Sequence, residues 1–150
     1  MKKTLWVLLA ILVAIQFIPT NRPAVSTDNP TDLITNNSVP EPIQDMLHNA
    51  CYDCHSNQTN YPWYSYVAPV SYLVIRDIRE GKKELNFSEW ENLAKKDKLK
   101  ILGEISEVVL DGEMPMKIYP PLHPEAKLTQ QNRKDLAAWA DEFAELVFEQ

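Results

Sequence analysis

Apolar residues recur at helical spacing along the body of this chain, beginning just after Pro42. Proline suits the first turn of a helix, where its missing N–H has no partner to lose. Four apolar residues then fall at positions i, i+3, i+4 and i+7, namely Ile43, Met46, Leu47 and Ala50. This spacing predicts an amphipathic helix that leads directly into Cys51.

Two further helical regions are predicted in the middle of the chain. The first runs from Pro69 to Gly81, with the glycine as its C-cap. The second begins with a capping box at Ser88, is expected to break near Asp97, and stops at Gly112. The residues expected to face inward are Val70, Leu73, Val74 and Ile78 in the first, and Trp90, Leu93, Leu102, Ile105 and Val109 in the second.

The last helix is predicted to begin after Thr129, which would cap it. Its expected buried face consists of Leu136, Trp139, Ala140, Phe143 and Val147. Glycine is scarce at 3 residues and proline plentiful at 11, which favours short helices joined by stiff connections over a fold with many tight β-turns. The pattern therefore predicts an all-α domain over residues 41–150.

The N-terminal segment has a different pattern. Lys2 and Lys3 precede an apolar run that begins at Leu5 and ends at Ile18, so residues 1–18 form a signal peptide or a membrane anchor. The run is shorter than the ~20 residues that span a bilayer comfortably. No convincing cleavage site follows it, however, so we favour an uncleaved anchor over a released form.

Residues 19–40 carry four prolines among polar residues. Few apolar groups are present there to offset the entropy of ordering the chain. The composition predicts a flexible linker between the N-terminal segment and the domain.

Charge excludes one class of partner. The formal net charge is −6, and residues 41–150 hold 12 Lys and Arg against 19 Asp and Glu. Nucleic-acid binding demands a basic patch, so an acidic domain of this kind argues against it. A docking partner is expected to present a positive or neutral face.

The segment Cys51-Tyr52-Asp53-Cys54-His55 is the strongest chemical signal in the chain. At this spacing two thiols add to the vinyl groups of a porphyrin as thioethers, and the adjacent imidazole ligates the iron. The chain has no other cysteine, so both would be consumed. The sequence therefore predicts one covalently bound haem c on Cys51 and Cys54, with His55 as an iron ligand.

Other chemistries fit the same five residues less well. A thiol redox pair normally follows a buried strand, whereas a helix is predicted before Cys51. A structural zinc ion needs four ligands, and the chain offers only three histidines beside its two cysteines, His48, His55 and His123. A disulfide across two residues would close too short a loop to stabilise much. These alternatives remain open.

The second axial ligand of the iron is predicted to be Met114. This residue follows a predicted helix end and precedes Pro115, which biases it toward an extended conformation. Met116 and His123 are the alternatives. Ligation by Met and His raises the reduction potential and leaves no open position on the iron, as an electron carrier requires.

An aromatic run follows the motif, with Tyr61, Trp63, Tyr64 and Tyr66. We expect these rings to line the haem pocket. A carbonyl near Pro62 or Pro69 is expected to accept the Nδ1 proton of His55 and so to orient the imidazole.

From about residue 41 to 147 the chain resembles the haem-binding domain family of small, exported bacterial monohaem c-type cytochromes. The segments that carry the resemblance are 51–57, 61–65, 81–87 and 112–115. More distantly the chain is similar to class I cytochromes c. The resemblance implies a bundle of short helices around one haem, attachment through Cys51 and Cys54, His55 as proximal ligand and Met114 as distal ligand.

Together these features predict an exported carrier of single electrons, rather than an enzyme. It would be tethered to the inner membrane by its N-terminal segment and would exchange electrons with redox partner proteins at the membrane or in the periplasm. The alternative is a haem-based ligand sensor or peroxidase-like enzyme, in which the sixth iron position is open or weakly held.

Overall fold

The computed structural model describes residues 2–149, and every regular element within that range is helical. The seven α-helices are α1 (Lys2–Ala14), α2 (Leu33–Asn36), α3 (Glu41–Ala50), α4 (Tyr52–His55), α5 (Val70–Glu84), α6 (Lys95–Leu110) and α7 (Gln130–Glu149). Short 3-10 segments cover Ile15–Phe17, Trp63–Tyr66, Phe87–Asn92 and Pro124–Ala126. The prediction of an all-α fold is confirmed.

The core forms where α6 and α7 pack along each other and α3 crosses α7. The predicted inner face of α7 is confirmed, since all five of its expected residues are buried. Trp90 is fully buried and stacks on Phe143, and Phe143 stacks on Trp139.

Helix α5 differs from its prediction in both its end and its buried face. The helix continues to Glu84, so Gly81 lies inside it and is not its C-cap. The buried side chains are Ser71, Ile75 and Ile78, so of the predicted apolar stripe only Ile78 is buried, and Leu73 is 53% exposed. The reason is the contact with α4. A Cβ on Gly81 would lie 2.8 Å from the carbonyl oxygen of Cys54, so the helix turns its Gly81 side toward the motif.

The region after Ser88 also differs from its prediction. Phe87–Asn92 is a 3-10 segment capped by Asn86, whose side chain accepts the N–H of Ser88. The α-helix begins only at Lys95, so the break lies before Asp97. The predicted end of the helix at Gly112 is confirmed, because α6 ends at Leu110 and Gly112 follows it with a φ of +72°.

The predicted linker over residues 19–40 is partly built into the body, which corrects the domain boundary. Leu33 is fully buried and Val39 is 7% exposed, and both belong to the hydrophobic core. Asp32 is 1% exposed and accepts hydrogen bonds from Tyr52, Ile34, Gln58 and Ser88. The compact body therefore begins near residue 31 rather than at residue 41.

Helix α1 buries none of its residues. Among residues 2–149, no helix combines the length and the apolar character that crossing a membrane requires. The export or anchor role of this segment stays a prediction.

Candidate functional site

The Cys51–His55 segment forms a single helical turn directly after α3. Cys51 ends α3, and its carbonyl accepts the N–H groups of Cys54 and His55 at 3.1 and 2.9 Å. The two thiols and the imidazole are all partly buried. The predicted helix into the motif thus places these three side chains on one compact turn.

The imidazole of His55 is oriented by the main chain. Its Nδ1 lies 3.2 Å from the carbonyl oxygen of Leu85. A carbonyl can only accept, so Nδ1 carries the proton and Nε2 keeps its lone pair. Burial lowers the pKa of His55, which favours the neutral ring. A carbonyl partner was expected, but from near Pro62 or Pro69, and the structure assigns that role to Leu85.

His55 opens onto a cavity of about 460 Å³ between α3 and α6. Cys51 and Met114 also line this cavity. Its apolar walls consist of Leu47, Ala50, Leu85, Phe87, Ile101, Ile105, Val108 and Val109. Five exposed carboxylate side chains lie around it, those of Glu84, Glu104, Glu107, Asp111 and Glu113. The site is therefore apolar inside and acidic at its edge.

A second cavity of about 240 Å³ lies on the other side of the motif. His55 and Met114 line this cavity too, together with Cys54, Met116 and Tyr119. The two cavities thus share His55 and Met114, together with Ala50 and Glu84, while each contains one of the two cysteines. A planar group that occupied both cavities would lie beside Cys51, Cys54, His55 and Met114.

The three candidates for the second axial ligand take different positions. Met114 lines both cavities, and Met116 lines only the smaller one. His123 lines neither of them, and its Nε2 lies 2.6 Å from the hydroxyl of Tyr64. The structure therefore brings together Cys51, Cys54, His55 and Met114, and leaves His123 outside.

Arg133 holds the main chain at Met114, a role that no pattern in the sequence indicates. Its guanidinium donates to the carbonyl of Met114 at 2.6 Å and to that of Val109 at 2.8 Å. The N–H of Met114 donates to Val108 at 3.1 Å. Because Arg133 lies on α7, the contact joins residues far apart in the chain, which no local pattern reveals.

Asp53 and Tyr119 form a second contact that sequence reasoning missed. The hydroxyl of Tyr119 donates to Oδ2 of Asp53 at 2.6 Å, while Oδ1 accepts the N–H of Asn60 at 2.8 Å. The ring of Tyr119 stacks on His123 with centroids 4.1 Å apart. In the sequence, this contact is indicated only by the position of Asp53 between the two cysteines.

The aromatic run does not line the cavities shared by His55 and Met114, so that expectation is wrong. Trp63 is 77% and Tyr66 is 60% exposed. Trp63 and Tyr64 instead line a neighbouring apolar cavity of about 270 Å³ that reaches Cys54. The walls beside His55 come from α3 and α6, whose apolar residues the sequence assigned only to the core.

The environment of the cysteines bears on the alternative chemistries. Burial raises the pKa of Cys51 to about 12 and that of Cys54 to about 11. A dithiol redox pair works through a thiolate with a lowered pKa, which these thiols lack. Within residues 2–149 no group of three or more His, Cys, Asp or Glu side chains is placed to hold a metal ion, so a zinc site finds no ligand set.

Comparison with known proteins gives one match. A protein-family model described as a haem-binding domain matches residues 10–142. Neither the curated proteins nor the solved structures include a match to this chain.

Proposed function

The chain belongs to the haem-binding domain family, and on that premise we propose that it is a c-type cytochrome that passes single electrons. The match covers most of the chain and confirms the resemblance to the haem-binding domain family. Haem is thus the group to be tested against the site. Covalent attachment, the axial ligands and the redox role are the proposal.

The observation that carries the proposal is that His55 and Met114 line the same two cavities, with one cysteine in each. Ligand sites in proteins are mostly apolar hollows of about 300 to 1,000 Å³ with a few polar groups at fixed places. The larger cavity, of about 460 Å³, falls in this range and has eight apolar side chains in its walls. The residues present fit a porphyrin.

Each side chain has a definite task in this site. Cys51 and Cys54 would hold the group through two thioethers. His55, with its Nδ1 proton on Leu85, presents an unprotonated Nε2 to the iron. Met114 offers a thioether from a segment that Arg133 fixes through its carbonyl. A bound haem supplies an iron that alternates between the ferrous and ferric states.

Filling both axial positions favours electron transfer over ligand binding. With His55 and Met114 in place, no position on the iron is open to oxygen, peroxide or a gas. The protein is therefore proposed as a carrier, and no substrate pocket is needed beside the iron.

The acidic edge of the larger cavity supports a proposal about partners. Five exposed carboxylates surround the site of the redox group, and the whole chain has a formal charge of −6. Opposite charges raise the rate of encounter between redox proteins. We propose partners with a positive docking face, in the periplasm or at the inner membrane, where the N-terminal segment would tether the protein.

The test is to produce the full chain with intact haem-maturation machinery and to measure its mass and spectra. The expected result is one haem adduct that survives denaturation, with the weak far-red absorbance band of methionine-ligated ferric haem. The Cys51→Ala/Cys54→Ala variant is the control and should lose the adduct. A protein with no adduct contradicts covalent attachment. Rapid carbon monoxide binding to the reduced wild type contradicts the carrier and favours a ligand sensor or peroxidase-like enzyme.

A further inference from the structure

We propose that Asp53 and Tyr119 form a latch that holds the Met114 segment closed over the haem, which makes both of them positioning residues for the sixth ligand. The inference rests on the proposed function, because it takes Met114 as a ligand of the iron. It adds a role for the residue that lies between the two cysteines.

The latch is a short, charge-assisted hydrogen bond. The Tyr119 hydroxyl lies 2.6 Å from Oδ2 of Asp53. The other carboxylate oxygen accepts the N–H of Asn60 at 2.8 Å, so both oxygens are engaged and the carboxylate cannot rotate freely. Hydrogen bonds to an ionised acceptor are shorter and stronger than neutral ones.

The two ends of the latch are placed to control Met114. Asp53 lies between Cys51 and Cys54, so thioethers on both sides would fix its main chain. Tyr119 lies five residues after Met114, and both residues line the smaller cavity. The Tyr119–Asp53 bond therefore ties the methionine segment directly to the haem-attachment turn.

Pro115 is buried, but the other hydrogen bonds of the segment go to Val108, Tyr64 and Arg133 and not to the motif. Lys117, Ile118 and Leu122 are exposed, and Ile118 is 76% exposed. On the other side of Met114, Arg133 ties the main chain to α7 and not to the motif. Without the Tyr119–Asp53 bond, Arg133 still holds the Met114 segment to α7, but the segment has lost its hydrogen bond to the Cys51–His55 turn.

The orientation of the Tyr119 ring is set independently of its hydroxyl. The ring stacks on His123 at an interplanar angle of 9°, and His123 is held by the hydroxyl of Tyr64 at 2.6 Å. Tyr119→Phe therefore removes the latch bond and leaves the stacking in place. This makes the variant a specific test.

The experiment compares the full haem-loaded chain with its Tyr119→Phe variant. We expect carbon monoxide to bind the reduced variant at least about tenfold faster, the scale set by loss of a hydrogen bond to a charged group. The far-red band should weaken and the reduction potential should fall as methionine ligation is lost. Hydrogen exchange of the amides at 113–119 should accelerate, a readout that does not depend on redox activity.

Tyr72→Phe is the matched control. It also removes a hydroxyl that donates to main-chain carbonyls, those of Ile15 and Ile18 at 3.3 and 3.1 Å, and Tyr72 lines neither of the cavities that contain Met114. This control should bind carbon monoxide at the wild-type rate. A Tyr119→Phe variant that matches Tyr72→Phe in carbon monoxide binding and in hydrogen exchange overturns the latch.

A double-mutant cycle with Asp53→Ala tests the pairing itself. If the two residues act through one bond, Tyr119→Phe has no further effect on the carbon monoxide rate in the Asp53→Ala background. Independent, additive effects overturn the proposal. Failure of the proposed function is visible separately, since the wild type would then lack the haem adduct or the methionine band.

Discussion

Tyr52 connects the haem-motif turn to the segment before it through one buried contact. It is 2% exposed, and its hydroxyl donates to Oδ1 of Asp32 at 2.9 Å. Burial is the main cause that raises the pKa of Tyr52, and the charge of Asp32 raises it further. The side chain therefore stays protonated in the folded protein at a pH where an unfolded tyrosine loses its proton.

This shift predicts a loss of stability in alkali. An unfolded tyrosine titrates near 10, so above that pH the folded state binds more protons than the unfolded state. The contribution of Tyr52 is complete below pH 10 and falls as the pH rises beyond it. We expect the free energy of unfolding, measured by urea denaturation, to decrease as the pH rises from about 10 to about 12.

The variant Tyr52→Phe identifies the group responsible. At pH 8 it should be less stable than wild type by about 1 to 3 kcal/mol, because a buried carboxylate loses a donor. The difference should shrink as the pH rises above 10. Tyr66→Phe, with a ring that is 60% exposed, is the control and should follow the wild type. A constant difference between Tyr52→Phe and wild type across this range would contradict the assignment.

Single residues differ in how far the sequence reveals their roles. Cys51, Cys54 and His55 were predicted because their chemistry depends on spacing along the chain, which the sequence displays. Met114 was predicted because Pro115 and Gly112 mark an extended segment after a helix. Arg133 and Leu85 were not predicted, since each acts through a contact between residues distant in sequence. Leu85 acts through its main-chain carbonyl, which every type of residue carries.

Gly81 determines how closely α5 approaches the motif turn. A Cβ at this position would lie 2.8 Å from the carbonyl oxygen of Cys54, closer than real contacts allow, and at a tight 3.3 Å from its Cβ. Glycine normally weakens a helix interior by about 1 kcal/mol relative to alanine. Its presence inside α5 is therefore explained by the close packing of two elements.

The variants Gly81→Ala and Gly103→Ala test this explanation as a pair. Both glycines lie inside helices, but a Cβ at Gly103 would meet nothing within 4 Å. We expect Gly103→Ala to stabilise the protein by about 0.5 to 1 kcal/mol. Gly81→Ala should instead destabilise it by about 1 to 3 kcal/mol, through overpacking against Cys54.

Urea denaturation of the two variants beside the wild type gives both values. If Gly81→Ala gained as much stability as Gly103→Ala, the Cys51–His55 turn would have moved without a loss of free energy. That result would contradict the packing explanation. Haem content should also be compared, since a shift of Cys54 is expected to lower attachment in Gly81→Ala alone.

Helices that pack through a continuous apolar stripe were predicted correctly. Helices α3 and α7 bury the faces that their spacing indicates. Helix α5 does not, because it packs through Gly81 and Ser71, residues that hydrophobic periodicity does not count. Hydrophobic periodicity therefore predicts where a helix forms. It predicts less well which face of the helix is buried when the helix packs against the main chain of another element.

At the scale of the whole molecule, the boundary of the body was the largest misprediction. Residues 19–40 are rich in proline and polar groups, and this composition hides two core residues. Leu33 and Val39 enter the core beside Asp32, which accepts hydrogen bonds from three side chains outside the segment, those of Tyr52, Gln58 and Ser88. A tertiary network of this kind cannot be predicted from composition.

The structure predicts that Leu33 stabilises the body as a core residue would. Leu33 is fully buried, whereas Val25, in the same segment, is 49% exposed. Leu33→Ala should therefore lower the free energy of unfolding by about 2 to 5 kcal/mol, because it removes apolar contacts and leaves a cavity. Val25→Ala should change it by less than about 0.5 kcal/mol. Urea denaturation of the two variants checks both values. Equal and negligible effects would contradict a core role for Leu33 and would support a flexible linker that extends to residue 40.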